Sequence, residues 1–243
     1  MRRAVGLLVL GVALIAGRAV RSVALETPEF PFGVDGSPAA IQTAATRIVN
    51  DYVDAVGGIA GTVHDAPTVA VRNTPNLAAF DPRNNEIVLA HWPTVDEASR
   101  GFFLALAESE EDAEALFVEL FNWFLVAHEM THWFQRTVGM CLDRYGSEAM
   151  ANDAAVAFFM RDGIAETRLL RLRERIVLAL TRLEDPTPAG WEEAAFFNAH
   201  YAELARDPSR YGYYQFRLIR EAVDRRGDLD FEALIRAASA GSD

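Results

Sequence analysis

Five consecutive residues have the types and the spacing of a metal-dependent hydrolytic site: His128, Glu129, Met130, Thr131 and His132, the pattern HExxH. Residues four apart lie one above the other on a helix face, so both imidazoles can converge on one ion, about 2.0–2.1 Å from each nitrogen for zinc. Glu129 follows the first imidazole, and from there its carboxylate can reach a zinc-bound water without binding the metal. The pattern therefore predicts Zn²⁺ bound by His128 and His132, with Glu129 as the general base for attack on a carbonyl carbon.

The motif lies in a stretch that we expect to be a buried helix. Random placement of the histidines and glutamates of this chain would give HExxH roughly 0.01 times, so coincidence is a poor explanation. Two histidines and a glutamate buried only for packing would each need a hydrogen-bond partner to offset their desolvation. Core histidines that are satisfied in this way are the alternative to a metal site.

A catalytic zinc ion needs a third protein ligand, with the fourth position left to water. The metzincin pattern fails here, because Gln135 stands at its glycine position and Val138 at its third histidine. The downstream carboxylates that could serve instead are Asp143, Glu148, Asp153 and Glu166. We expect Glu148, which follows a turn containing Gly146 and opens a helix that can pack back across the first. A solvated acid at a helix start is the alternative for Glu148.

The predicted active-site helix begins after Ser109, whose hydroxyl can cap it, and ends at Gly139. Apolar residues recur at helical spacing between these two, which is typical of a long and mostly buried helix. Ser147 is expected to cap the next helix, which runs from Glu148 to about Met160. Three further helices are predicted over residues 169–183, 191–204 and 213–223.

The N-terminal half combines a helix that starts at Ser37 and Pro38 with short extended segments. These segments are 68–71, 77–80 and 86–91. Turn formers at 81–85 separate the last two, which indicates a β-hairpin. The predicted fold class is therefore α+β: a small N-terminal sheet packed on the HExxH helix, followed by a mainly helical half.

The HExxH motif followed by Glu148 and Asn152 resembles the gluzincin metallopeptidases, in which two helices deliver two histidines and one glutamate. Residues 148–155 are similar to the ExxAN segment of metallopeptidases of the ImmA/IrrE type. The resemblance covers roughly residues 77–160 when the hairpin is included, and its specific part is smaller.

The resemblance implies that His128, His132 and Glu148 are the zinc ligands and that Glu129 is the base. Asn152 stands where thermolysin-like gluzincins carry an aspartate that orients a ligand histidine. Asparagine departs from that pattern, although an amide oxygen can also accept an imidazole N–H.

Length and charge limit the classes of partner. The chain has 243 residues and a formal net charge of −12, which argues against nucleic-acid binding because phosphate contacts need clustered Lys and Arg. Residues 25–243 are predicted to form a single metallopeptidase-like domain. The one cysteine, Cys141, rules out an intramolecular disulfide and Cys-rich zinc modules.

Residues 1–24 have the order of a secretory signal: Arg2 and Arg3, then an apolar run from Ala4 to Gly17, then small residues before a cut after Ala24. The run is short for a membrane span. An uncleaved anchor is the alternative, and membrane contact is expected only in that case. We predict an exported protein, periplasmic or extracellular.

Further side chains are candidates for the substrate cleft. The strand at 86–91 could pair with an extended peptide if it is an edge strand, or it could be part of an ordinary hairpin. A peptidase also needs a donor to the oxyanion. The candidates are His200, Tyr211, Tyr213, Tyr214 and Gln215, for which packing roles are the alternative.

The HExxH motif, Glu148 and the N-terminal leader together predict a secreted zinc metalloendopeptidase-like hydrolase of the gluzincin type. It would act on peptide or protein substrates through a zinc-bound water activated by Glu129. The alternative is a non-catalytic zinc-containing binding or scaffold protein of the cell envelope with the same fold. A purely structural zinc site has no use for Glu129 and closes all four ligand positions, which favours the enzyme.

Overall fold

The computed structural model of the protein describes residues 36–61, 65–163 and 165–240, and the predicted leader at 1–24 lies outside these ranges. The elements along the chain are α1 (Pro38–Ala60), β1 (Thr68–Val71), β2 (Ala78–Asp81), β3 (Glu86–Leu89), α2 (Glu97–Leu106), α3 (Glu110–Phe117), a π-helical segment (Val118–Phe124), α4 (Leu125–Thr137), α5 (Arg144–Met160), α6 (Glu166–Leu180), α7 (Glu193–Leu204), α8 (Pro208–Asp224) and α9 (Phe231–Ala240). The predicted α+β class is confirmed. In the described ranges, no helix has both the length and the apolar character needed to cross a bilayer.

The sheet has the strand order β1-β3-β2, with β1 parallel and β2 antiparallel to β3. The predicted hairpin is confirmed, and its second strand, β3, is the central strand of the sheet, so the alternative of an ordinary hairpin strand applies to it. Ile87, Val88 and Leu89 are all buried, and such an unbroken apolar run suits a strand that is covered on both faces and paired on both sides. The edge strand that packs on α4 is therefore β2.

The helical stretch that carries the motif starts as predicted. The Ser109 hydroxyl accepts the Asp112 amide at 3.1 Å, and Gly139, with φ of +69°, ends the stretch after α4. The π-helical segment between α3 and α4 was not expected. Its buried Asn122 donates to the Ala90 carbonyl at 2.9 Å and so ties the segment to the residue after β3.

The helix α5 starts earlier than the sequence analysis placed it. Asp143, not Ser147, is its N-cap, since the Asp143 carboxylate accepts the Gly146 amide at 2.7 Å. Glu148 therefore lies in the second turn of α5 and not at its start. This difference turns the Glu148 side chain towards α4, against which α5 packs.

The two central residues of the motif face the core. Met130 and Thr131 are fully buried, and the Thr131 hydroxyl bonds both to the Ala127 carbonyl at 3.0 Å and to the Tyr52 hydroxyl of α1 at 2.9 Å. α1 thus supports the back of α4, so the opposite face, with both histidines, is turned towards α5.

A small aromatic cluster lies where α7 and α8 meet the first turn of α5. Its buried members are Phe196, Phe197, Leu204 and Tyr214, and its partly buried members are Tyr145, Tyr201, Tyr211 and Tyr213. α8 also packs along α5. Side chains from the far C-terminal part of the chain are thereby brought next to the motif helix.

Candidate metal centre

His128 and His132 point their rings into the same space from one face of α4. Their Nε2 atoms are 3.1 Å apart, and the ring planes are nearly perpendicular, at 83°. His128 is only 2% exposed. The convergence of two Nε2 atoms agrees with the HExxH spacing and is what a shared ion requires.

The other nitrogen of each ring faces an amide oxygen. Nδ1 of His128 is 2.9 Å from Oδ1 of Asn152, and Nδ1 of His132 is 2.9 Å from Oε1 of Gln135. An amide oxygen only accepts hydrogen bonds, so each Nδ1 carries a proton and donates it. Each neutral ring therefore presents an Nε2 lone pair, which is the tautomer that binds a metal through Nε2.

Glu148 of α5 adds a carboxylate to this space. Its Oε2 lies 3.3 Å from His128 Nε2 and 3.7 Å from His132 Nε2. The ligand atoms of the three side chains all lie within 4.8 Å of one another. Because two lone pairs and an anionic oxygen repel one another unless a cation lies among them, this group could hold a metal ion.

Burial favours the neutral forms of both His132 and Glu148. For His132 the hydrogen bond and negative charge of Glu148 outweigh burial, so its pKa rises to about 9. For Glu148 the hydrogen bonds from the two histidines outweigh burial, and its pKa lies well below the ordinary value. His132 therefore holds a proton tightly beside the Glu148 carboxylate, at the place where a metal cation could replace it.

Two side chains of α8 hold the Glu148 carboxylate. The Tyr211 hydroxyl donates to Oε1 at 3.3 Å, and Gln215 Nε2 donates to Oε2 at 2.9 Å and to the Tyr211 oxygen at 2.9 Å. Burial and then the charge of Glu148 raise the pKa of Tyr211 well above its ordinary value. α8 thus orients the third potential ligand and places a protonated hydroxyl beside it.

Glu129 does not belong to the three-residue group and reaches the sheet. Its Oε2 accepts the amide N–H of Phe80 in β2 at 2.7 Å. The N–H and C=O of one strand residue point to the same side in an antiparallel pair, so the Phe80 carbonyl also points away from β3. Glu129 therefore joins α4, the helix with the two potential histidine ligands, to the free edge of β2.

The other carboxylates considered as third ligand have different partners. Asp143 caps α5, as described above. Asp153 accepts from Arg225 at 2.8 Å, and Glu166 accepts from Arg226 at 2.9 Å. Among the described residues, Glu148 alone joins the two imidazoles in a potential metal-binding group.

Three of the oxyanion candidates, Tyr213, Tyr214 and His200, contact residues other than the potential ligands, which favours the packing alternative for them. Their partners are Asp185, Thr187 and Glu203, respectively. Each residue of a helix is rotated by about 100° from the last, so α8 can turn Tyr211 and Gln215 towards Glu148 while Tyr213 and Tyr214 face elsewhere.

Gln135 and Ser147 are site residues that were not predicted from the sequence. The Ser147 hydroxyl donates to Gln135 Oε1 at 2.8 Å, and Gln135 Nε2 donates to the Ser147 carbonyl at 3.1 Å. This reciprocal pair joins α4 to α5 and fixes the oxygen that receives the His132 proton. The position of Gln135, three residues after His132 on the same helix, was the available signal.

Comparisons of the chain with protein-family models, with curated proteins and with solved structures found no match.

Proposed function

We propose that the protein is a zinc-dependent metallopeptidase of the gluzincin type, in which His128, His132 and Glu148 bind Zn²⁺ and Glu129 is the general base. The observation that carries the proposal is the convergence of three ligand atoms, with a fourth side chain, Glu129, next to them and outside the ligand set. The resemblance of the motif, Glu148 and Asn152 to gluzincins supports it.

The donor set fits zinc. Two imidazole nitrogens and one carboxylate oxygen form a known ligand set of catalytic zinc sites, and three protein ligands leave one position for water or substrate. When bound, zinc supplies Lewis acidity: it polarises a carbonyl and lowers the pKa of a coordinated water. Asn152 and Gln135 hold the imidazoles in the tautomer required for binding.

Glu129 accepts the proton of the attacking water and later delivers it to the leaving amine. The Phe80 amide holds Oε2, so the carboxylate has a fixed orientation and Oε1 is the oxygen that takes the proton. A carboxylate on a rigid helix and anchored to a strand keeps its place during the reaction, which is the basis of efficient proton transfer.

Tyr211 can turn its hydroxyl proton from Glu148 to the oxygen that becomes negative when the carbonyl is attacked. Its hydroxyl lies 3.3 Å from Glu148 Oε1, next to the potential ligands, and its raised pKa keeps it protonated well above neutral pH. Gln215 directs this hydroxyl by donating to its oxygen.

The free edge of β2 takes an extended peptide substrate. The Phe80 carbonyl points to this edge and can accept an amide N–H of the substrate. The scissile bond would then lie beside Glu129, because the same residue of β2 contacts the base. We also propose that the protein acts after export, on the basis of the charged and apolar pattern of residues 1–24.

The test compares the wild-type protein with Glu129→Gln. We expect one zinc ion per chain in both, measured by mass spectrometry of metals, and peptide-library cleavage that falls by about 10² to 10⁴ in the variant. Removal of zinc with a chelator should abolish cleavage, and zinc addition should restore it. The absence of zinc-dependent cleavage by the wild type would overturn the proposed activity.

The contact between Glu129 and Phe80 also favours a second candidate, a non-catalytic zinc-containing binding or scaffold protein. In that case Glu129 would be kept as a link between α4 and β2. Zinc retained with no difference in cleavage between the wild type and Glu129→Gln would support this candidate.

A further inference from the structure

Arg144 lies one helical turn before Glu148 on the same face of α5. Residues four apart on a helix have their Cβ atoms about 5–6 Å from one another. The Glu148 side chain reaches the paired imidazoles, so the base of Arg144 is only one turn away from the potential metal site. The Arg144 side chain is exposed and accessible to a substrate.

An aromatic ring holds the Arg144 guanidinium at this position. Its central carbon lies 4.9 Å from the ring centroid of Tyr201 in α7, and the Tyr201 ring packs edge-on against Tyr211 at 6.1 Å. Tyr211 in turn contacts Glu148. The series Arg144–Tyr201–Tyr211–Glu148 therefore leads from the exposed surface to the potential ligands through contacts of one side chain with the next.

Stacking on Tyr201 leaves the hydrogen-bond donors of Arg144 available. A cation–π contact uses the face of the guanidinium, whereas its N–H groups point outwards in its plane. Many arginines of this acidic chain form an ion pair with a carboxylate. Among the residues that the structure describes, no carboxylate oxygen lies within 4.0 Å of the Arg144 guanidinium. The side chain is pre-positioned and keeps both charge and donors for another molecule.

We infer that Arg144 is a specificity-determining residue that binds a carboxylate of the substrate close to the scissile bond. This inference rests on the proposed peptidase function. Arginine recognises carboxylates through two parallel N–H···O bonds, which lysine cannot form. An extended peptide advances about 3.3 Å per residue, so one turn of α5 corresponds to one or two substrate residues.

Two sources supply such a carboxylate: an Asp or Glu side chain, or the C-terminus of the peptide. The experiment uses zinc-loaded Glu129→Gln, which binds peptide without turnover, and isothermal titration calorimetry. Peptides that differ only by Glu against Gln at each position within two residues of the scissile bond test the side-chain source. A free C-terminal acid against its amide tests the other source.

We expect the acid member of one pair to bind about tenfold more tightly than its neutral partner. Adding Arg144→Gln should reduce this preference to less than about twofold, and Arg144→Lys should retain only part of it. Arg136→Gln is the matched control, because Arg136 is exposed and stands one turn beyond His132 on α4. It removes the same charge and should leave the preference intact.

Three results would each overturn the inference. The first is equal binding of acid and neutral peptides, and the second is failure of every peptide to bind. The third is an acid preference that survives Arg144→Gln. Loss of the preference in Arg136→Gln to the same degree would also overturn it, because the effect would then be one of general charge. The proposed activity is judged separately by wild-type cleavage: cleavage without an acid preference refutes only the role of Arg144, and the absence of cleavage refutes the activity together with the role that rests on it.

Discussion

The Phe80 amide lies 2.7 Å from Oε2 of Glu129, so the residue proposed as general base also ties α4 to the edge strand β2. Removal of the Glu129 charge and removal of its hydrogen-bond acceptor are therefore two different changes. Two substitutions at this position separate the chemical role from the structural one.

Glu129→Gln keeps an oxygen that can accept the Phe80 N–H, whereas Glu129→Leu does not. We expect both variants to lose cleavage, because neither can take a proton from water. Only Glu129→Leu should lose stability, by about 1 kcal/mol, since it removes the acceptor of a part-buried N–H. Denaturant titration measures this difference, and equal stability of the two variants would show that the contact with Phe80 contributes little.

Zinc should stabilise the folded protein through Glu148. At free zinc 100-fold above the dissociation constant, the free energy of unfolding should rise by about 2.7 kcal/mol, seen as a higher melting temperature that a chelator reverses. Glu148→Gln should remove most of this rise. The matched control is Glu166→Gln, whose carboxylate bonds to Arg226, and it should leave the rise unchanged; the opposite order would contradict Glu148 as a ligand.

The metal-free protein should lose stability as the pH rises from about 6.5 to 9. The pKa of His132 is about 9 in the folded protein and close to 6.5 in the unfolded chain. The stabilising effect of its charge is therefore complete below pH 6.5 and disappears as the pH passes 9, a change on the order of 2–3 kcal/mol. Denaturant titrations at several pH values measure it.

Glu148→Gln is the control for this pH dependence. Without the carboxylate, burial dominates and the pKa of His132 falls, so the loss between pH 6.5 and 9 should vanish. A flat wild-type profile over this window, or the same slope in the variant, would contradict the pairing of His132 with Glu148.

Asn152 should control zinc affinity through the tautomer of His128. Asn152→Asp keeps an acceptor for the His128 Nδ1–H, whereas Asn152→Leu removes it at a fully buried position. We expect Asn152→Leu to bind zinc about 10- to 100-fold more weakly and Asn152→Asp to bind at least as well as the wild type. Competition with a chromophoric chelator measures the zinc affinities. Equal affinity of all three proteins would show that Asn152 does not contribute to zinc binding.

At saturating zinc, Tyr211→Phe should lower kcat by about 10² with little change in KM, because the proposed donor acts on charge that develops during the reaction. The fold should be kept, since the ring remains in the aromatic cluster. Tyr213→Phe is the control from the same helix, and its hydroxyl bonds to Asp185 away from the site. Unchanged kcat in Tyr211→Phe, or an equal loss in Tyr213→Phe, would exclude the proposed donor role.

The sequence predicted the parts of the site that depend on neighbouring residues. The spacing of His128 and His132, the cap at Ser109 and the hairpin before the motif follow from helix periodicity, capping chemistry and turn residues, which act over a few positions. The prediction that Glu148 lies beside the two imidazoles was also correct. The reason for it was wrong, because Glu148 does not open its helix. Its helix starts at Arg144 because Asp143 outcompetes Ser147 as the cap.

Only the tertiary structure decided which distant groups meet at the site. Tyr211 and Gln215 contact Glu148 from 63 and 67 residues further along the chain, and the pairing of β1 with β3 makes β3 the central strand and leaves β2 at an edge. Tyr211, Tyr213 and Tyr214 have the same chemistry and almost the same position in the sequence. What distinguishes them is the rotation of α8 about its axis, which is set by packing against α5 and α6, helices that precede it in the sequence.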